Sequence, residues 1–360
     1  MLYGTIKCAS ADVSCCFGGS HSETRENRQA VNTCGRNVAN NNRGPSSMMR
    51  AAMFSPRKIV RKFTPAIRTV PLREGAGAVP AVDDGASRLK ESLGRIGSLE
   101  VRLARNFKEV KKAQRLRYQV FYEEMSAVAD SHTQATRRDS DPFDSCCDHM
   151  LVIDHASLKR NKLGRQKPEI VGTYRLLRQE IADRRGGFYT QGEYDIQKLI
   201  DANPDKRFLE LGRSCVLKPY RNKKTVELLW HGVWSYILMH KIDVMVGCAS
   251  IEGTNPDDLS SQLAFLHHNA RAPKEWRVIA LPERYVEMNR LPADGINQKE
   301  ALRALPPLVK GYLRLGAFIG DGAVVDHQFG TTDILVIMPV SELNSRYVNY
   351  YGADASRYAA

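Results

Sequence analysis

Four short clusters of charged side chains in the middle of the chain have the residue types needed to bind or activate a charged substrate. In chain order they are Arg117-Tyr-Gln-Val-Phe121, Asp141-Pro-Phe-Asp144, Gly172-Thr-Tyr-Arg175 and Glu210-Leu-Gly-Arg213. Burying a charge is costly unless it is paired, so these charges form either a network of ion pairs or a site for charged groups. In the first interpretation Arg117, Arg175 and Arg213 pair with the acids. In the second, the clusters bind a substrate.

The attack of an amine on a thioester is one reaction that such residues could support. The amine must lose a proton and be placed against the carbonyl carbon, and the tetrahedral oxyanion must be stabilised. Glu210 is the predicted general base, acting directly or through a water molecule. Asp141 and Asp144 could hold the two ammonium groups of a diamino acid. Arg117 or Arg175 could then bind its carboxylate.

Glu210 and Arg213 are the predicted catalytic residues, and they can act at one site only if their strand is irregular. Residues three apart on an ideal strand face opposite sides of the sheet. Gly212 lies between them and would permit a bulge, which could bring both side chains to one side and splay the strand open. We therefore predict a local opening of the sheet at this point.

The elements that must position these residues are predicted from hydrophobic periodicity. Asn106 can cap a helix that carries apolar residues from Phe107 to Phe121 at a 3.6-residue period. A second helix is predicted over residues 225–241 and a third over 307–318. Strands are predicted at 99–104, 150–153, 170–177, 208–217, 244–249 and 334–340. Such a mixture predicts one α/β domain, residues 98–360, around a mixed central sheet flanked by helices.

The first 97 residues have a different composition. Residues 1–48 are rich in Ser, Asn, Gly and Arg and have no sustained apolar period, which predicts disorder. Residues 54–73 mix basic and apolar side chains, as a segment on an anionic membrane surface does, although a solvated linker fits as well. Residues 1–97 hold 15 Lys+Arg against 7 Asp+Glu and so carry +8 of the net charge of +13. We expect a basic tail or linker here.

Composition narrows the possible partners and location. With 42% hydrophobic residues and no apolar run near the roughly 20 residues that span a bilayer, a cytoplasmic protein is expected. A peripheral position at the inner face of the bacterial cytoplasmic membrane is compatible with this. The eight cysteines show no C-x-x-C pair, and His267-His268 has no third ligand nearby in sequence, so no metal site is predicted. Basic residues are not interleaved with aromatics as in nucleic-acid binders, so no nucleic-acid partner is expected.

The four clusters, in this order, resemble the N-acyl-homoserine-lactone synthases, which have the fold of the GCN5-related N-acetyltransferases. Arg117, Phe121, Asp141, Asp144, Arg175, Glu210 and Arg213 take the places of that family's charged and aromatic motif residues. The resemblance implies a GNAT-like fold, substrate binding by Phe121 with the neighbouring charges, and acyl transfer from a carrier-protein thioester. The tryptophan that usually follows the first helix in that family has no clear counterpart.

A longer resemblance, from Leu99 onward, is to the bacterial ornithine N-acyltransferases. It is carried by strings such as Phe208-Leu-Glu-Leu-Gly-Arg-Ser-Cys-Val-Leu217 and Phe329-Gly-Thr-Thr-Asp333. It implies transfer of a 3-hydroxyacyl group from acyl carrier protein to the α-amine of L-ornithine, giving lyso-ornithine lipid. The co-substrate would be acyl-4'-phosphopantetheine on the carrier, with no tightly bound cofactor. A homoserine-lactone-type synthase is the alternative within this class, and a membrane-binding protein without catalysis is the alternative outside it.

A basic stretch after the Glu210 strand differs from coenzyme A-dependent relatives of this fold. Those usually have two glycines here, which form a backbone nest for a pyrophosphate. This chain has Arg221-Asn-Lys-Lys-Thr-Val226 in their place. A carrier-bound pantetheine has one phosphate, so Arg221, Lys223 and Lys224 are predicted to bind that phosphate and the acidic carrier surface. A solvated helix start is the alternative.

Overall fold

A computed structural model describes residues 92–160 and 164–344. The predicted disordered segment 1–48 and the predicted membrane-surface segment 54–73 lie outside the described residues. Within the described part the sheet begins at Gly94, a few residues before the predicted domain boundary at 97/98. Residues Gly94–Ile96 form a short hairpin with the next strand through a turn at Gly97, whose φ is +61°. Three residues are too few to show a period in sequence.

The fold is built around one sheet of eight strands in the order β1-β2-β3-β4-β5-β6-β8-β7. Neighbouring strands are antiparallel except β5 and β6, which are parallel. The strands are β1 Gly94–Ile96, β2 Leu99–Leu103, β3 Asp148–Arg160, β4 Gln166–Arg178, β5 Phe208–Val216, β6 Val244–Glu252, β7 Phe318–Asp326 and β8 Thr331–Pro339. The sheet is therefore mixed, as predicted.

Helices connect the strands. They are α1 Phe107–Tyr118, α2 Ser131–Thr136, α3 Gln179–Ala182, α4 Gln197–Asp201, α5 Lys223–His240, α6 Ser260–Ala270, α7 Gln298–Ala304 and α8 Pro307–Leu315. The Asn106 side chain caps α1 by accepting hydrogen bonds from the N–H groups of Lys108 and Glu109, as predicted. Phe107, by contrast, is 55% exposed. The third predicted helix ends early, at Leu315, because Gly316 adopts a left-handed φ of +94° and β7 begins at Phe318.

The core lies on both faces of the sheet, because successive strand residues alternate between two apolar clusters. On β5, Phe208 belongs to one cluster and Leu209 to the other. On β6, Val244 and Met245 divide in the same way. Helices α5, α6 and α8 cover one face, and the segment from α3 to α4 covers the other. The central strands are thus buried on both sides.

The sheet opens between β5 and β6, where the sequence predicts a bulge. In the described sheet the two strands pair only over Phe208–Glu210, opposite Val244–Val246. On its other edge, β5 has one extra residue between its pairings with Arg175 and Thr173 of β4. The bulge is confirmed, but the strained residue is Arg213, with φ +51°, rather than Gly212. The pairing of β5 with β6 thus ends at Glu210, just before the bulge.

Candidate active site

A cavity of about 110 Å³ lies where β5 leaves β6. Both strands line it, together with β8, α8, the loop at Tyr189–Thr190 and the turn between β7 and β8. Phe121, Arg175, Glu210 and Arg213 are among the predicted site residues on its wall. The predicted opening of the sheet and four of the predicted residues therefore coincide.

The predicted arginines and aspartates form a buried network of ion pairs. Arg117, which is fully buried, binds Asp144 through Nη1 at 2.9 Å and Nη2 at 2.6 Å. Its Nε lies 2.8 Å from Oδ2 of Asp139. Arg175 Nη1 contacts both carboxylate oxygens of Asp141, at 2.7 and 2.6 Å, and Asp144 Oδ1 at 3.3 Å. This is the first of the two interpretations of the clusters; whether these side chains also bind substrate stays a prediction.

Burial alone would raise the pKa of Asp144. The hydrogen bonds and charge of Arg117, with the charge of Arg175, outweigh burial and hold that pKa well below its usual range. Gln114 adds a hydrogen bond to Asp144 Oδ2 at 2.9 Å. Asp144 is therefore an anion at any physiological pH.

The Asp-Pro-Phe-Asp motif has a local structural reason. Asp141 caps the short 3-10 turn Pro142–Ser145 by accepting from the N–H of Asp144 at 3.2 Å. Asp144 accepts in return from the N–H of Asp141 at 3.3 Å. Because each acid fixes the other's backbone, both carboxylates are presented together to the arginines.

Asp139 belongs to the network but was missed by the sequence analysis. It contacts Arg117, and its Oδ2 lies 3.4 Å from Nε of Arg213. It is 4% exposed and lies two residues before the Asp141-Pro-Phe-Asp144 motif. A third aspartate so close to the motif was the available signal.

Arg213 is held less tightly than the other two arginines. Its contacts with Asp139 and Asp141 are both 3.4 Å long. Its guanidinium lies 5.1 Å from the ring centre of Tyr189 and 5.0 Å from that of Phe329. Phe121 packs edge-on against Phe329, with 5.7 Å between ring centres. Arg213 thus lies between two aromatic rings, on the cavity wall.

Glu210 is buried and accepts three hydrogen bonds from one loop. Oε2 accepts from the N–H of Tyr189 at 3.0 Å, and Oε1 accepts from the N–H of Thr190 at 2.7 Å. The hydroxyl of Thr190 also donates to Oε1. Burial raises the pKa of Glu210, and the bonds from Thr190 and Tyr189 oppose that rise. Glu210, the predicted base, therefore also holds the loop at Tyr189–Thr190 against β5.

A second group of acids, missed by the sequence analysis, lies at the same cavity, which Asp326 and Asp333 line. Glu193, Asp326 and Asp333 each place a carboxylate oxygen within 4.8 Å of the others. Asp326 and Asp333 come from the β7–β8 hairpin, whereas Glu193 comes from a loop far away in sequence. The Phe329-Gly-Thr-Thr-Asp333 string was noticed only as a resemblance.

The basic stretch at the start of α5 differs in part from expectation. Arg221 is bound rather than free: its guanidinium pairs with Glu124, and its Nε donates to the carbonyl of Val216 at 2.9 Å. The Lys223 side chain is 70% exposed, within 3.5 Å of Glu227, and Lys224 is exposed. Of these three residues, only Lys223 and Lys224 are exposed to solvent, because Arg221 pairs with Glu124.

Sequence comparison assigns the family. The chain is 52% identical over 275 residues to the L-ornithine N(alpha)-acyltransferase of Rhizobium meliloti (strain 1021), covering 76% of this chain and 91% of the relative. This chain belongs to the L-ornithine N(alpha)-acyltransferase family. The family member from Agrobacterium fabrum (strain C58) is 53% identical over 264 residues, covering 73% and 88% of the two chains. The resemblance predicted from the motifs is confirmed.

The fold assignment is confirmed as well. The acetyltransferase (GNAT) domain family matches residues 116–231, which span the ion-pair network and the splayed strand. The solved structure of FeeM, an N-acyl amino acid synthase from uncultured soil microbes, covers 68% of this chain and 92% of its own, at 12% identity and a TM-score of 0.35. This member of the L-ornithine N(alpha)-acyltransferase family is an acyltransferase with a GNAT domain. Within residues 92–160 and 164–344, no helix is both long and apolar enough to cross a membrane.

Proposed function

We propose that this acyltransferase moves a 3-hydroxyacyl group from the phosphopantetheine of an acyl carrier protein to the α-amine of L-ornithine, giving lyso-ornithine lipid. The observation that carries the proposal is the high identity, over most of the chain, to relatives named for this acceptor. The cavity at the β5–β6 opening supports it, because a splayed pair of strands can admit an extended pantetheine thioester between them.

The proposed reaction is a direct aminolysis. The α-nitrogen attacks the thioester carbon and forms a C–N bond, and Glu210 takes the proton that the amine loses. Backbone N–H groups of β5 beyond its last pairing with β6 would stabilise the oxyanion. The C–S bond then breaks, and the pantetheine thiolate leaves and is protonated. The products are the amide and the carrier with a free thiol, without an acyl-enzyme intermediate.

The aromatic and cationic groups on the cavity wall would position the acceptor. Arg213 is the best candidate for the α-carboxylate, because its contacts with acids are long, whereas Arg175 is bound at 2.6 Å by Asp141. Phe121 and Phe329 would pack against the substrate. Arg117, Asp141 and Asp144 would hold the opened strand and its neighbours in position.

The proposed donor is a carrier protein rather than coenzyme A. Asn222 caps α5 by accepting from the N–H of Thr225 at 3.2 Å, where coenzyme A enzymes usually have a glycine nest. Lys223 and Lys224 are exposed beside it and would meet the acidic carrier. Reversing both charges should weaken carrier binding and its salt dependence. The matched double reversal Lys274→Glu and Lys299→Glu, at exposed lysines elsewhere, should leave binding unchanged.

The experiment for the reaction is single-turnover transfer with purified full-length protein. Donors are 3-hydroxyacyl-carrier protein and 3-hydroxyacyl-coenzyme A, and acceptors are ornithine, lysine and S-adenosylmethionine. Fast carrier-dependent acylation of the α-amine of ornithine is expected. Equal rates with coenzyme A would refute the donor assignment. Preference for S-adenosylmethionine, or no transfer to any amine, would refute the acceptor.

We further propose that the enzyme works at an anionic membrane surface. The basic and apolar segment 54–73 supports it, since cations near the surface attract anionic lipid. Changing Arg57, Lys58 and Arg61 to Glu in the full chain should abolish sedimentation with anionic vesicles while transfer in solution persists. Undiminished sedimentation would refute this role.

A further inference from the structure

The acidic cluster of Glu193, Asp326 and Asp333 lies on the active-site cavity. Asp326 and Asp333 line the cavity, and the three carboxylates approach within 4.8 Å of one another. Glu193 is 3% exposed and Asp333 is 7% exposed. Three acids so close together repel one another when ionised, and burial strengthens that repulsion. The repulsion is relieved when one acid holds a proton or when a positive charge lies among them.

The described residues do not fully supply that charge. Arg284 Nη1 lies 3.5 Å from Oε1 of Glu193 and also donates to the carbonyl of Gly192. Oε2 of Glu193 is buried and accepts no well-formed hydrogen bond in the described part of the chain, although the neutral thiol of Cys248 lies near this carboxylate and opposes the rise in its pKa that burial causes. A buried carboxylate oxygen without a good partner costs about 1–3 kcal/mol or more. Such an atom, in a carboxylate that belongs to a cluster on a cavity wall, indicates a ligand that donates hydrogen bonds.

The other partners of the cluster are neutral donors. Asp333 Oδ1 accepts from the hydroxyl of Thr331 at 3.0 Å. Asp326 Oδ1 accepts from the N–H groups of Gln328 at 2.8 Å and Phe329 at 3.1 Å. These bonds fix the directions of the carboxylates without neutralising them. Burial and the charges of Glu193 and Asp326 raise the pKa of Asp333 to about 7.

The spacing of the oxygens suits a primary ammonium group. An ammonium has three N–H donors in tetrahedral directions, so with bonds of about 2.8 Å its acceptors lie about 4.6 Å apart. The three carboxylates each place an oxygen within 4.8 Å of the others, which is close enough for one ammonium group to reach all three. The planar guanidinium of an arginine substrate would present its donors in one plane, which a three-sided acidic cup does not match.

The cavity wall also carries a cation. Arg213 stands there between the rings of Tyr189 and Phe329, and its charge is near enough to lower the pKa of Glu193, which burial raises. A cation is thus offered for an α-carboxylate and an anionic cluster for a positively charged side chain. An amino acid bound in this orientation would present its α-amine between the two.

We propose that Glu193, Asp326 and Asp333 bind the side-chain ammonium of the acceptor amino acid. This inference rests on the proposed function and adds to it the origin of two specificities. The cluster selects acceptors with a terminal amine. It also keeps that amine protonated and therefore non-nucleophilic, because nearby anions favour the charged form. Acylation is thereby directed to the α-amine.

The test compares Asp333→Asn and Glu193→Gln with the wild-type protein on ornithine and on norvaline, which lacks only the terminal amine. Wild-type kcat/KM should favour ornithine by about 10²–10⁴-fold, because norvaline leaves buried acids unpaired. Each variant should raise KM for ornithine by about 30-fold or more and should not raise KM for norvaline. The matched control is Asp321→Asn, a buried acid on β7 that pairs with Arg271 outside the cavity and should not change the preference.

A direct binding measurement separates this inference from the proposed reaction. Calorimetry with ornithine and norvaline, without any acyl donor, should show binding of ornithine that is lost in Asp333→Asn, even if the donor assignment fails. Equal loss of activity with both acceptors would make the cluster structural and overturn the inference. Binding of Ca²⁺ or Mg²⁺ by the wild-type protein without amino acid, lost in the same variant, would identify a metal site and overturn it too. Thermal unfolding of each variant verifies that it is folded.

Discussion

Replacing Glu210 by Gln separates two roles that converge on one carboxylate. Glu210 fastens the loop at Tyr189–Thr190 and is the proposed base for the amine. Gln keeps the shape of the side chain but has one acceptor oxygen instead of two. Whichever way the amide is oriented, its NH₂ faces the N–H of Tyr189 or of Thr190, and two donors cannot pair.

The magnitudes follow from these contacts. A buried N–H left without an acceptor costs about 1–3 kcal/mol, so the free energy of unfolding should fall by about that amount. Loss of a positioned base should lower the single-turnover rate by about 10²–10⁴-fold. That range corresponds to about 2.7–5.5 kcal/mol in the activation free energy. The kinetic effect should therefore exceed the stability effect.

Thr190→Val provides the control. It removes the hydroxyl donor to Glu210 and keeps the carboxylate and both backbone bonds, so the loop is loosened without loss of the base. Its single-turnover rate should stay within about tenfold of wild type. If Glu210→Gln falls no further than Thr190→Val at saturating ornithine, Glu210 only positions the loop and another group accepts the proton.

The pH profile gives an independent readout. Burial raises the pKa of Glu210, and only its ionised form can accept a proton. The wild-type rate should therefore rise with pH through the titration of this carboxyl, and the Gln variant should lose that limb. A Gln variant that is slower but retains the limb would contradict the assignment.

Two further perturbations test the framework of the site. Asp144→Asn should cost about 3–5 kcal/mol in the free energy of unfolding, because it leaves Arg117 buried without its main counter-ion. The pKa of Asp144 is lower in the folded protein than its ordinary value of about 3.9. The stability that Asp144 contributes is therefore fully present above that ordinary value and is lost as the pH falls through the folded pKa. The stabilities of the variant and the wild type should therefore converge in acid. Gly247→Ala would place Cβ 2.3 Å from the carbonyl oxygen of Leu211, so β5 must shift. The free energy of unfolding should fall by about 1–3 kcal/mol, and activity should fall by a larger proportion. Gly192→Ala is the control and should change little, because the added Cβ meets nothing within 4 Å.

The elements that the sequence predicted well are those with long apolar periods. The strand at 208–217 and the helix at 225–241 are buried over most of their length, so their patterns are strong. The short β1 was missed because three edge residues carry no period. Phe107 fits the apolar period but was misjudged: it is the first residue of α1, and its side chain is 55% exposed.

The site was predictable only where its residues come in motifs. Glu210 and Arg213 are three apart, and Gly212 between them drew attention to a bulge. Asp326 and Asp333 lie on one hairpin, β7–β8, but the acidic cluster joins them to Glu193, more than 130 positions earlier. A contact between elements so far apart in sequence has no local signature, so spacing could not have assembled this cluster.

The ion-pair network explains how the sheet can stay open at Arg213. Arg213 has a φ of +51°, a left-handed conformation that costs a non-glycine residue roughly 1–2 kcal/mol. Its contacts with Asp139 and Asp141, and with the rings of Tyr189 and Phe329, favour that conformation. The same aspartates are held by Arg117 and Arg175, which are anchored on α1 and β4. The network thus offsets the strain of the bulge through rigid neighbours, and it holds the walls of the proposed site in place. Interactions arranged in advance do not have to be reorganised during the reaction, and this gives a pre-formed site its catalytic advantage.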